Sequence, residues 1–229
     1  MNKKYTAIFT SFLLALHLSA QTETEFQDAA RPFGLEVVGP VMEAGSDAAS
    51  ADFQENDLPL LLGFVNDNLS ETLALEDISA VSLDPEALIM QNESSVRVYF
   101  LSEGAGYRNT LGYTTENLSS GETSEQLLIF PDASSQYSSL GGSDSLDGLS
   151  RNNSTPLVPG DFVDLGLYGP PELVDFFLIS NGAGGGQNTY TADASTNPDL
   201  MQHVVAFAVS DSPYLIIGFE DLYGGGDMD

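Results

Sequence analysis

The chain has 229 residues, 42% of them hydrophobic, and carries 34 acids against six lysines and arginines, a formal charge of −28. Such a field repels nucleic acid and anionic membrane surfaces and draws divalent cations. Cysteine is absent, which excludes a disulfide staple and a thiol nucleophile and leaves stability to a core or to bound metal.

Lys3 and Lys4 precede an apolar stretch, Ala7 to Leu18, too short to span a bilayer, with Ser19-Ala20 as a small-residue cleavage site. This is the pattern of a secretory signal over residues 1–20, with the exported chain beginning at Gln21. No second segment is long and apolar enough to span. Past residue 20 the only basic residues besides His203 are Arg31, Arg97, Arg108 and Arg151. Residues 21–57 are acidic and rich in Ala, Gly and Ser with little periodicity, so they read as a linker or weakly ordered lead-in. From Leu58 to Leu75 an apolar patch follows Pro59, and Ser70 before Glu71 predicts the cap of a short helix.

Strand patterns are Ala87 to Met90, Val96 to Leu101, Thr110 to Thr115, Gln126 to Phe130, Asp161 to Tyr168, Leu173 to Ser180, His203 to Val209 and Tyr214 to Phe219. Turn residues separate them, among them Gly104-Ala105-Gly106, Pro131-Asp132, Asn181-Gly182 and Asn197-Pro198-Asp199. Residues 133–155 and 182–187 read as surface loops. Many short strands with little helix predict an all-β fold, an antiparallel β-sandwich or jelly roll over residues 58–229 with a short N-terminal helical or irregular lead-in.

The last strand, Tyr214 to Phe219, reads as buried on both faces, and it ends in acid: Glu220, Asp221, the glycines 224–226, then Asp227 and Asp229. Four carboxylates so close together repel unless they are solvated or share a cation. Calcium takes six to eight hard oxygens in irregular geometry, so Glu220, Asp221, Asp227 and Asp229 are the candidate ligands. The plainer alternative is a solvated acidic hairpin tip.

Four blocks resemble the bacterial family called domain of unknown function 4114. They are Val98-Tyr99-Phe100-Leu101-Ser102-Glu103-Gly104-Ala105-Gly106-Tyr107-Arg108-Asn109-Thr110-Leu111-Gly112-Tyr113, then Pro159-Gly160-Asp161, then Phe176-Phe177-Leu178-Ile179-Ser180-Asn181-Gly182, then Gly218-Phe219-Glu220-Asp221 with Gly224-Gly225-Gly226-Asp227-Met228-Asp229. They span about residues 95–229. The resemblance implies a secreted β-sandwich module, often one part of a longer surface protein, with calcium at the acidic terminal block. Members of that family continue past the second aspartate, so this chain is expected to stop inside the motif. In the first block, Glu103 and Arg108 are expected to pair across the Gly-Ala-Gly turn, with Asn109 bonding the turn backbone. A sharper reading adds Glu103 to the acidic cluster.

Catalysis has little support in the residues. His203 precedes a run of strand formers and reads as a loop or strand-end group, no Gly-x-Ser-x-Gly elbow exists, and chance carboxylate pairs abound among 34 acids. The expected function is a non-catalytic calcium-binding module, exported or held at the cell surface, in adhesion or matrix and biofilm architecture, with surface glycans or matrix components as partners. A carbohydrate-binding module is the alternative, with Tyr107, Tyr113, Tyr137, Tyr168, Tyr190 and Tyr223 as a stacking face. A glycan-active hydrolase is a weaker one.

Overall fold

A computed structural model describes residues 21–27, 31–68, 82–104, 106–137, 146–210 and 212–224. The secretory signal, the Ser70–Glu71 cap, Asp227 and Asp229 therefore lie outside the described residues. Among those described, no helix is long and apolar enough to cross a membrane.

The described residues are mostly β, with one α-helical run among them. They form eleven strands: β1 (Glu36–Val37), β2 (Ser82–Leu83), β3 (Ser94–Tyr99), β4 (Thr110–Asn117), β5 (Glu122–Thr123), β6 (Leu127–Phe130), β7 (Phe162–Tyr168), β8 (Glu172–Ile179), β9 (Thr189–Thr191), β10 (Val204–Ala208) and β11 (Leu215–Phe219). The largest sheet runs β1-β6-β4-β8-β9 with β5 on the end of β4; a second runs β11-β10-β2, and a third is the pair β3-β7. Among the described strand pairs only β1 with β6 is parallel; the others are antiparallel. Among the described residues these sheets do not close. Seven of the eight expected strands form within a residue or two. The exception is Ala87 to Met90, where Asp84 caps a 3₁₀ turn over Pro85–Ala87 and only Ile89 bridges to β8.

The segment expected as a weakly ordered lead-in is built into the fold instead. Val41 and Met42 are buried, and β1 pairs with β6. A helical run with no cap signal read from the sequence begins here, at a capping box in which Asp47 accepts from the Ser50 N–H at 2.7 Å and Ser50 accepts from the Asp47 N–H. From α1 (Ala48–Asp52) the run widens into a π turn over Phe53–Asp57 and continues as α2 (Leu58–Asn68). The Leu58 N–H bonds the Phe53 carbonyl five residues back. That widening falls immediately before Pro59, whose missing N–H and bulky ring would strain a regular ladder.

Leu58, Leu61, Leu62 and Val65 recur at helical spacing and, with Phe53, pack on Val205, Phe207 and Ile216 of the second sheet. Each such buried side chain contributes about 1.5–3 kcal/mol. A second core sits between the first and third sheets, where Tyr113, Ile129 and Val174 meet Val163 and Leu165. On the opposite face of the first sheet Leu128, Phe177 and Ile179 pack under Leu35 and Val37. Gly112 is required in this layer: a Cβ there would stand 2.2 Å from the Phe177 ring and 2.7 Å from the Leu127 carbonyl.

Two smaller expectations are corrected. β11 is a sheet-edge strand with Ile216 and Gly218 buried but Leu215 half-exposed, so it is covered on one face and not on both. The loops expected on the surface are partly internal: Tyr137 belongs to the first core, and Gly182 and Ala183 are buried in a 3₁₀ turn.

Candidate functional site

The end of β11 meets the start of β4 and the end of β8 at one corner. Register brings them there: Val204 pairs with Phe219, so the Glu220 N–H donates to the His203 carbonyl at 2.9 Å, while Thr110 pairs with Ile179 and sets Asn109 beside Asn181. Asn109 then bridges two elements. Its amide nitrogen donates to Asp221 Oδ2 at 2.7 Å, and its oxygen accepts from the Asn181 N–H at 2.9 Å. Asn181 replies by accepting from the Arg108 N–H at 3.2 Å. It sits at φ 49°, a conformation asparagine tolerates better than most residues. Gly182 follows because a Cβ would lie 2.5 Å from Thr110 Oγ1.

Glu220 and Asp221 are both buried, at 3% and 2% exposure, so a solvated acidic tip does not describe them. Glu220 Oε1 accepts from the Leu222 N–H at 2.8 Å, folding the chain into a tight turn. His203 lies beneath it. Nδ1 donates to the Glu220 carbonyl at 2.8 Å, since a carbonyl can only accept, and Nε2 faces the Asp199 carboxylate at 2.9 and 3.1 Å. Tyr190 stacks on the imidazole at 3.7 Å between ring centres. Asp199 also takes the Gly224 N–H at 2.7 Å, which ties down the turn that leads towards Asp227. Burial by itself would raise the Asp199 carboxyl, but bonds from the Gly224 N–H, the His203 imidazole and the Met201 N–H hold it down at about 2.

Two other buried aspartates offer a comparison. Asp132 is neutralised by Arg108, whose Nε and Nη2 both reach Oδ2, and Asp161 is neutralised by Arg151 at 2.5 Å while also accepting from the Ala44 and Val158 N–H groups. Asp221 is as deeply buried, yet among the described residues it has the Asn109 amide and no ion pair. A buried carboxylate of this kind calls for a compensating positive charge. Among the described residues no three acidic or histidine side chains stand close enough to share a metal ion. The described part of the corner thus supplies the Glu220 and Asp221 carboxylates, and further oxygens would have to come from Asp227, Asp229 and water.

The first block behaves differently from its sequence reading. Glu103 does not pair with Arg108 across the turn; Arg108 goes to Asp132, and Glu103 accepts from the Ser135 N–H at 3.2 Å. Asn109 bonds a distant aspartate instead of its own turn. Asp199 was legible only as a turn residue, and nothing in its spacing links it to His203 and residue 224. His203 itself matches the loop-bonding role read from the sequence. It is fully buried with both ring nitrogens engaged, which leaves neither for a substrate.

The six tyrosines do not form a platform. Tyr113, Tyr137 and Tyr190 are buried, and Tyr113 donates to or accepts from the Tyr168 hydroxyl at 2.9 Å; only Tyr107 and Tyr223 are substantially exposed. No protein-family model matches this sequence, and no curated protein or solved structure is significantly similar to it.

Proposed function

We propose that this chain is a non-catalytic, calcium-stabilised β-sandwich module, exported or held at a cell surface, that serves adhesion or matrix architecture. It would be related to the domain of unknown function 4114. The observation that carries the reading is the contrast among buried aspartates: Asp132 and Asp161 each have an arginine, whereas Asp221 has a neutral amide. A hard divalent cation is the compensation that fits an all-oxygen corner in a chain with so few cations of its own. Glu220 and Asp221, with Asp227 and Asp229, would hold the ion. Bound calcium supplies the charge that offsets the buried carboxylates. The chain's own part is to orient them: Asn109 fixes Asp221, Leu222 fixes Glu220, and Asp199 with His203 fixes the turn. Stabilisation arises by linkage, since the unfolded chain has no such corner.

The test is a thermal melt of residues 21–229 in calcium, in magnesium and in chelator, for the natural sequence and for Asp221→Asn. At calcium tenfold above the dissociation constant, linkage predicts about 1.4 kcal/mol of stabilisation for the natural sequence. Asp221→Asn loses that response and, with no buried charge left to offset, melts no lower than the natural sequence in chelator. A natural sequence indifferent to calcium, or an Asp221→Asn loss of equal size in chelator, overturns the reading.

A further inference from the structure

A cleft of about 1200 Å³ lies between the sheets. Its floor is a sheet face: β8 contributes Val174, Phe176 and Leu178, every second residue, while Phe177 and Ile179 turn to the opposite core. Its walls are different. Residues 94–103, through β3 and beyond, line it without a gap, and so do residues 213–217 through β11. Successive side chains of a strand point to opposite faces, so a cavity lined by consecutive residues meets the strand at its edge. Both edges are open: among the described residues β3 pairs only with β7, and β11 only with β10. The side chains that flank the opening, Val96, Val98, Ile217 and Phe219, are half-buried apolar groups.

We infer that this cleft is a docking lane for one extended strand of another polypeptide, which would pair with β3 on one side and β11 on the other. The space fits. A strand matching the six residues of β3 is about 20 Å long, and in a lane about 4.8 Å wide and a layer about 10 Å deep it fills roughly 1000 Å³. Insertion would join the two smaller sheets into one of order β7-β3-guest-β11-β10-β2, laid over the floor of the first sheet. Open apolar edges of this kind are templates for strand addition, in which backbone bonds give affinity and alternate side chains give specificity.

Charge selects the guest. All four described arginines are already paired with carboxylates, Arg31 with Glu36, Arg97 with Asp47 and Asp164, Arg108 with Asp132, and Arg151 with Asp161 and Glu43. The chain as a whole carries −28. A second copy would add the same charge, so the occupant is a different polypeptide with alternating apolar residues and basic flanks. This inference needs no metal, although Asn109, which bonds Asp221, also lines the cleft.

The test uses a fluorescein-labelled peptide about eight residues long, alternating valine and threonine with a lysine at each end, titrated into residues 21–229 and read by anisotropy. Saturable binding is expected, with new amide-exchange protection over 94–99 and 215–219. The same peptide with proline at the threonine positions cannot donate to an edge and should not bind. Val96→Lys and Ile217→Lys should each weaken binding at least tenfold, and circular dichroism with a calcium melt separates that effect from misfolding. No binding, or equal binding of the proline peptide, overturns the inference. So does a concentration-dependent dimer that ignores the peptide, which would make a second copy the guest. A form extended past residue 229 that refuses a peptide accepted by residues 21–229 also overturns it, because the lane would then be filled from within the same chain.

Discussion

Replacing Asn109 by alanine isolates the link on which the acidic corner depends. The side chain is 4% exposed and makes two bonds to distant elements, one to the Asp221 carboxylate at 2.7 Å and one from the Asn181 N–H at 2.9 Å. A hydrogen bond to a charged group contributes about 1.5–3 kcal/mol and a neutral one about 1 kcal/mol. The Asp221 carboxylate would also stay buried with its donor gone. The two bonds together make a loss of about 2.5–4 kcal/mol, large against the 5–15 kcal/mol that holds an ordinary domain together. Equilibrium urea unfolding, followed by tyrosine fluorescence, reads it as a lower midpoint at unchanged slope. Because Asn109 orients Asp221 for the ion, the variant should also lose part of the calcium response, so the loss should be larger in calcium than in chelator. An Asn109 that only satisfied its own turn would cost within about 0.5 kcal/mol on replacement; a loss below about 1 kcal/mol in chelator therefore refutes the bridge.

Three further outcomes follow from the geometry. Arg97 ties the helix cap Asp47 at 2.9 Å to Asp164 of β7 at 2.6 Å and lies 3.9 Å over the Phe162 ring, so Arg97→Met should cost about 2 kcal/mol and should raise exchange rates in the first turn of α1. An unchanged midpoint would mean that the cluster is only a surface arrangement. Acid should destabilise the corner in a defined window: Asp199 is held at about 2, below its ordinary carboxyl value, so its contribution is fully present above about pH 4 and disappears as pH falls towards 2. Asp199→Asn should flatten the stability profile over that window, and an unaltered slope there would contradict it. Asp47 acts in the same sense. Burial opposes its ionisation, but bonds from Arg97, Ser50 and Gln21 hold it well below the usual range, so its share disappears only at still lower pH. Gly112→Ala should lower stability by about 2–3 kcal/mol, because the new methyl meets the Phe177 ring and a backbone carbonyl; a smaller pair, Gly112→Ala with Phe177→Leu, should recover part of it.

Strand positions were legible because their cause is local. The β-branched and aromatic runs that became β3, β7, β8 and β10 have side chains suited to a pleated, half-buried surface wherever they lie, and the turn residues between them bound each run. The last strand was misjudged on its second face because an edge position depends on which neighbours arrive, and an apolar run does not encode that. The start of the helical run at Asp47 was not legible for a related reason. Its cap, Asp47 with Ser50, sits in a stretch of small residues without clear periodicity, and its apolar stripe is valuable only once β10 and β11 lie under it.

For the site, sequence alone determined the chemical inventory: a chain rich in carboxylates, poor in cations and without thiols, with acid gathered after its last described strand. It could not decide which carboxylates are buried or what meets them. Asp132, Asp161 and Asp221 are the same residue type, each beside turn or strand-end positions, yet two receive an arginine and one an amide. That assignment was made by register, since pairing Thr110 with Ile179 and Val204 with Phe219 brings residues 109, 181, 203 and 221 to one corner across separations of 18 to 112 positions. Burial then turns a solvated charge into one that demands compensation, and burial belongs to the tertiary structure because only the other elements can remove the water.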